Sequence, residues 1–218
     1  MYFLGDPVRV LGTVKLEKIN EIVSVLHEKY SEKWIKRTFK LMDNCYCLKA
    51  VTPSQFDVPD ADTQSQLIEL LYPLVEPYIG PNEKLLYLDI SSVPPNQRTL
   101  VHIDHALMHI VSRRLHIPII TNDKVRFALF TERKFWNYHL SVGKVYEINN
   151  EIPHVAVNLG STDRWHIIID IIDNDAYDFL CKNNKLIDKG IDPAINFLFN
   201  QDITFKLNEI VESEAINA

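Results

Sequence analysis

Residues 101 to 122 read VHIDHALMHIVSRRLHIPIITN, and four of the eight histidines in the chain lie between His102 and His116. Seven of the eight lie between His102 and His166. Imidazole at this density, beside Asp104, points to metal ligation. On a strand, alternate side chains share a face, so His102 and Asp104 point one way and Ile103 the other. One imidazole and one carboxylate then converge, and a third ligand is needed. His154, which opens the apolar run HVAVNL after the turn-rich NNEIP, is the candidate. Two histidines and one carboxylate on one face of a metal leave positions open. This is the donor set of non-haem Fe(II) oxygenases, in which dioxygen and a chelating substrate take the open positions.

Arg164 follows ten residues after His154, in GSTDRWHIIID. Arg164, His166, Ile168 and Asp170 alternate with Trp165, Ile167 and Ile169, so Arg164 points inward from the first position of a strand expected to run antiparallel beside that of His154. A buried guanidinium requires an acidic partner, and its planar fork suits a dicarboxylic ligand. Arg114 and His116 share the inner face of RLHIPI by the same alternation, with Leu115 and Ile117 facing away. His105 and His109 stand four apart, a spacing that on a helix would mimic the metal pair of a zinc hydrolase. No Glu lies between them, so they are read as part of a loop leaving Asp104, exposed or touching substrate. His139 and His166 are expected to be structural or at the rim, and His27 on the polar side of a helix.

These residues need elements to hold them. Residues 14 to 33 place Leu16, Ile19, Val23, Leu26 and Tyr30 at spacings of three and four, an amphipathic helix. A second helix is expected near Thr63, where Gln66 permits a capping box. Leu67, Leu70, Leu71, Leu74 and Tyr78 would line its buried face, with Pro73 bending or dividing it. The run KRTFKLMDNCYCLKAV reads as strand and PSQFDVPDAD as loop. From residue 84 the period falls to two in KLLYLDISSV, TLVHID, RRLHIPII, VRFALF, KVYEIN, HVAVNL and RWHIIIDII, which predicts a β-sandwich or jelly roll. TERKFWNYH, residues 131 to 139, is read as a loop at the mouth of the site, where Arg133, Lys134 and Trp136 would receive an acidic or amide-bearing group. After Asp173 the pattern is helical again. The chain is read as one domain: support in 1–83, catalytic core in 84–173 and helices in 174–218.

Composition narrows the function classes. A net charge of −6 argues against a general nucleic-acid or anionic-membrane surface. No apolar run is long enough to cross a bilayer, and MYFLGDPVRVLG lacks the features of a secretion signal, so a cytoplasmic protein is expected. Cys45, Cys47 and Cys181 form no disulfide framework and are read as free thiols.

Taken in order, HID, RLHIPIITN, the strand with Trp136, the Gly143 turn, INNEIPHVAVN and DRWHIIID resemble the aspartyl/asparaginyl β-hydroxylase family of iron- and 2-oxoglutarate-dependent dioxygenases, over about residues 98 to 173. The resemblance implies a double-stranded β-helix (a cupin-like jelly roll), mainly β, flanked by helices at both ends. It implies Fe(II) on His102, Asp104 and His154, with 2-oxoglutarate held by Arg164 and reached by Arg114 and His116. It also implies hydroxylation of an unactivated C–H bond by dioxygen, giving succinate and carbon dioxide. The animal aspartyl hydroxylases of that family bind iron with two histidines and no carboxylate ligand, and carry a membrane anchor and helical repeats. The His-x-Asp here is similar instead to the bacterial free-amino-acid hydroxylases. A free amino acid, a peptide side chain and a small metabolite all stay open as substrate, and no substrate-binding residue is assigned. A zinc hydrolase, or a non-catalytic β-sandwich binding protein, are the alternative readings.

Overall fold

The structure, a computed structural model, describes residues 6–36, 45–53, 59–104, 107–131, 135–183 and 216–217. The chain opens with β1 (Val8–Thr13), α1 (Leu16–Tyr30), β2 (Ile35–Lys36), β3 (Tyr46–Val51) and α2 (Ala61–Val75). A short 3-10 turn leads to β4 (Glu83–Val93), β5 (Gln97–Arg98), the single-turn α3 (Leu107–Ile110), β6 (Ser112–Ile120) and β7 (Val125–Phe130). Then come β8 (Phe135–His139), β9 (Lys144–Ile148), β10 (His154–Asn158), β11 (Arg164–Asp173), α4 (Asn174–Lys182) and β12 (Ile216–Asn217).

The strands form two sheets, ordered β1-β9-β6-β11-β4-β3-β2 and β12-β8-β7-β10-β5. All pairings are antiparallel except β12 with β8. Odd and even positions of each strand have separate jobs. On the seven-stranded sheet, Leu48, Leu88, Ile90, Leu115, Ile117, Ile167 and Ile169 face outward, against Ile19, Ile22 and Leu26 of α1 and Leu67 and Leu71 of α2. Each such buried side chain contributes about 1.5–3 kcal/mol relative to exposure, so this layer is the main anchor of the fold. On the inner side, Val93, Tyr146 and Ile148 meet Phe127, Leu129, Trp136 and Ala156 of the five-stranded sheet. The opposite residues of β7 and β10, Ala128, Phe130, Val155 and Val157, form a third apolar cluster on the outer face of that sheet. This is the mainly β double-stranded jelly roll expected, flanked by helices on both sides of the strand series.

Several local expectations are corrected. The strand of Arg164, β11, pairs with β4 and β6, whereas the strand of His154, β10, pairs with β5 and β7 in the other sheet. The two strands face each other across the interior and are not neighbours. Within α1, Leu16 is 56% exposed and Val23 half-buried, while Ile22 is buried, so the buried stripe runs through Ile19, Ile22, Leu26 and Tyr30. The second helix is capped by Asp60, whose carboxylate accepts from Thr63 N at 2.9 Å and from Thr63 Oγ1 at 2.7 Å. It therefore starts before Thr63. Pro73 sits exposed inside the helix, where the hydrogen bond it lacks faces solvent. Phe135–His139 is a strand and not a loop, with Trp136 in the inter-sheet core; Arg133 and Lys134 lie outside the described residues. β1 was not anticipated, and it adds an edge strand beside β9. TLVHID contributes only an isolated bridge at His102. Beyond α4, the helical expectations fall outside the described residues.

Gly143 makes the turn into β9 with φ of +78°. Its carbonyl accepts from Val14 N at 2.7 Å and its amide donates to Pro118 O at 2.9 Å, tying α1 to the sheet. A Cβ here would meet Val14 O at 2.9 Å, so glycine is required for both its backbone and its size.

Candidate active site

His102 and His154 lie directly opposite each other. His102 N donates to His154 O at 3.1 Å and His154 N to His102 O at 2.9 Å, an antiparallel hydrogen-bonded pair that puts both rings on the inner face. The ring centroids are 4.4 Å apart. His102 Nδ1 lies 2.8 Å from Leu100 O and His154 Nδ1 2.9 Å from Ile152 O. A carbonyl only accepts, so both Nδ1 atoms carry a proton, and in the neutral ring it is Nε2 that presents the lone pair. Those Nε2 atoms face Asp104, at 3.7 Å from Oδ1 for His102 and 3.8 Å from Oδ2 for His154. These separations are too long for hydrogen bonds and mark the span a shared ion would fill. One ligand atom from each of the three residues lies within 4.8 Å of the others.

Protonation suits that role. Burial, reinforced by His102, pushes His154 down to about 4, so its imidazole is neutral at pH 7. Burial opposes the charge of Asp104, but Arg114 beside it and the two imidazoles hold it well below the usual carboxylate range. A neutral His154 and an ionised Asp104 are donors that need lose no proton to take a divalent cation.

A chain of contacts leads from this cluster to the far wall. His154 packs on Phe127 at 5.6 Å, Phe127 on His116 at 5.6 Å, and His116 edge-on to His166 at 5.8 Å. His166 Nδ1 lies 2.9 Å from Arg164 Nη2, and Arg164 is only 2% exposed. The guanidinium can only donate, so His166 carries its proton on Nε2. That Nε2 and His116 Nδ1 are buried without a hydrogen-bond partner. Burial and the Arg164 charge keep both imidazoles neutral, well below the usual histidine range. A guanidinium and a buried N–H donor in want of an acceptor fit an incoming carboxylate.

Arg114 faces the same interior but is heavily engaged. Its Nε and Nη2 bind Asp170 at 2.7 and 2.6 Å, and its Nη1 binds Asp104 Oδ2. His109 is buried, with Nδ1 2.8 Å from Asp170 Oδ2, and so joins this cluster; His105 lies outside the described residues. His139 Nδ1 lies 3.4 Å from Val125 O at the end of β8, and exposed His27 lays its ring 4.6 Å from Trp165. Cys45 and Cys47 are buried and free, and Cys181 is exposed and free.

A model of the aspartyl/asparaginyl β-hydroxylase family matches residues 25–174. The chain belongs to that family. Membership in the aspartyl/asparaginyl β-hydroxylases makes it a hydroxylase of the 2-oxoglutarate-dependent dioxygenase class. No curated protein matches it. Among solved structures, it is similar to a prolyl hydroxylase from Trichoplax adhaerens in complex with a hypoxia inducible factor oxygen degradation domain peptide fragment. That likeness has 11% identity, covers 79% of this chain and 86% of that one, and has a TM-score of 0.54. HygX from Streptomyces hygroscopicus, with nickel and 2-oxoglutarate bound, is similar at 10% identity over 77% and 83% of the two chains, with a TM-score of 0.53. At such identities the likeness establishes the shared fold. No helix among the described residues is long and apolar enough to cross a membrane.

The structure adds two residues to this site. His166, expected to be structural or at the rim, shares the parity of Arg164 and lies on the inner face beside it. Asp170 was given no role, and its signal was the same parity. What it lacked was the pairing that sets it directly opposite Arg114 across β11 and β6.

Proposed function

We propose that this protein uses Fe(II), 2-oxoglutarate and dioxygen to hydroxylate an unactivated C–H bond of an amino acid, a peptide side chain or a small metabolite. The balance is one C–H bond and one dioxygen consumed with one 2-oxoglutarate, giving one C–OH, succinate and carbon dioxide. The observation that supports this reading is the convergence of His102, Asp104 and His154 in an interior whose far wall holds buried Arg164. His102 and His154 would hold iron through Nε2 and Asp104 through a carboxylate oxygen. Iron held there supplies activation of dioxygen.

The side chains do the rest. The backbone carbonyls of Leu100 and Ile152 orient the two imidazoles by holding their Nδ1 protons. Arg164 and the Nε2–H of His166 would receive the distal carboxylate of 2-oxoglutarate, with His116 alongside. Phe127, in contact with both His154 and His116, keeps water from the space between the metal and the acid-binding end. A peptide substrate draws support from the Trichoplax prolyl hydroxylase, whose structure holds a peptide fragment.

The test is succinate release from the purified protein with Fe(II) and 2-oxoglutarate in air, alongside thermal shift with Mn(II) in place of iron. Stabilisation that requires metal and 2-oxoglutarate together is expected. Stabilisation by zinc alone, indifferent to 2-oxoglutarate, would support a hydrolase, and no response to any metal would support a binding protein.

A further inference from the structure

Asp104 lies outside any strand, so no ladder of backbone hydrogen bonds places it. A closed ring of side-chain and backbone bonds does so instead. Its own N–H donates to Asn150 O at 3.3 Å, and Asn150 Nδ2 donates to His109 O at 3.3 Å. His109 Nδ1 sits 2.8 Å from Asp170 Oδ2. Asp170 clasps Arg114 through both oxygens, at 2.7 and 2.6 Å, and Arg114 returns to Asp104 Oδ2 through Nη1. Asp170 and Arg114 are direct cross-strand partners on β11, the middle strand of the large sheet, and its neighbour β6, so the clasp is mounted inside the sheet and away from its edges.

The geometry matters because a guanidinium is planar. Two of its nitrogens held by one carboxylate fix the plane, and the third nitrogen, Nη1, can then donate only along its two N–H directions within that plane. One of these meets Asp104 Oδ2. The bond holds one carboxylate oxygen against the protein and leaves the other, Oδ1, facing His102 Nε2. All three nitrogens of Arg114 are committed to carboxylates in this arrangement.

We propose that Asp170, acting through Arg114, is a positioning residue that holds the Asp104 carboxylate in place as a metal ligand, and that Arg114 serves the metal end of the site while Arg164 serves the cosubstrate. The inference rests on the function proposed above. Asp170 touches neither metal nor substrate; it orients the group that orients the ligand, as partners of metal ligands elsewhere do.

The experiment separates metal affinity from cosubstrate affinity in the full chain under anaerobic conditions. Mn(II) and Co(II) are titrated first, and 2-oxoglutarate is then titrated at saturating Mn(II). Asp170→Asn, which keeps the shape but weakens the clasp, is expected to weaken metal binding about 10- to 100-fold and to alter the Co(II) absorption spectrum, with 2-oxoglutarate affinity within about threefold of the parent. Arg164→Met is expected to show the reverse pattern. Should Asp170→Asn fail to fold because a buried guanidinium is left half paired, the double replacement Arg114→Met with Asp170→Leu removes both charges together and is compatible with a folded core. It is expected to show the same selective loss of metal affinity. Metal affinity and Co(II) spectrum unchanged in a folded variant overturn the proposal, as does a loss confined to 2-oxoglutarate, which would return Arg114 to the cosubstrate. A parent protein that binds neither Mn(II) nor Co(II) overturns the proposed function as well.

Discussion

Replacing Arg164 by Met tests the cosubstrate end of the site with a magnitude that follows from its burial. Arg164 is among the largest fully buried side chains and would meet the distal carboxylate away from water. Truncating one partner of a buried charged pair costs about 2–5 kcal/mol, and about 3 kcal/mol corresponds to roughly 150-fold in affinity. At a 2-oxoglutarate concentration about one hundred times the parent's Kd, binding stabilises the parent by about 2.7 kcal/mol and the variant by roughly 0.3 kcal/mol. For a chain of this size the Mn(II)-loaded parent should gain about 5 to 10 °C on adding 2-oxoglutarate and the variant about 1 °C or less. The variant without ligand is not expected to lose stability in proportion, because a buried charge exchanged for an apolar chain of similar length is often neutral or stabilising. Arg164→Lys should fall between the two, since an ammonium cannot donate as a planar fork. The assay is differential scanning fluorimetry with isothermal titration of 2-oxoglutarate into the Mn(II) protein. A 2-oxoglutarate affinity for Arg164→Met within about threefold of the parent would refute the assignment.

Because His116 and His166 are buried and neutral in the fold, an unfolded chain takes up protons on them as the pH drops below about 6.5, and stability should decline over that range. Urea denaturation between pH 8 and pH 5 checks the sign, and a stability that rises on acidification would contradict it. Gly143→Ala places a methyl against Val14 O at a left-handed backbone angle and should cost about 1–3 kcal/mol in urea denaturation, whereas an unchanged midpoint would mean that the turn is not under this constraint. Ile167→Ala, on the helix-facing side of β11, should lose about 2–5 kcal/mol of stability, yet leave Mn(II) affinity intact because its neighbours on the opposite face line the site. A fall in metal affinity in that folded variant would show the two faces to be coupled.

Part of the site was legible because parity is a local property: Arg164, His166 and Asp170 share a parity along one strand that needs no knowledge of the fold. Asp104 does meet His102, but from outside any strand, held by Asn150 and Arg114 and not by alternation. The outward residues Leu115, Ile117, Ile167 and Ile169 were readable in the same way, since apolar side chains at every second position can only face a covered layer. The Asp60 cap and the strand at Phe135–His139 were misread because weak local signals compete: Thr63 and Asp60 both satisfy capping chemistry, and the polar, aromatic TERKFWNYH resembles a hairpin tip as much as an inward-facing strand.

What the chain alone could not convey was which strands lie side by side. Hydrophobic alternation states the face of a residue and is silent about its neighbour, so β11 could be set beside β10 as readily as across from it. Only tertiary pairing put Arg164 on the opposite sheet from His154, with the intervening space between them. Only the register of β11 against β6 set Asp170 opposite Arg114, turning that arginine toward Asp104. The types and parity of the reactive groups are one-dimensional facts, whereas their partners depend on long-range hydrogen-bond registry, which two strands more than forty residues apart acquire only on folding.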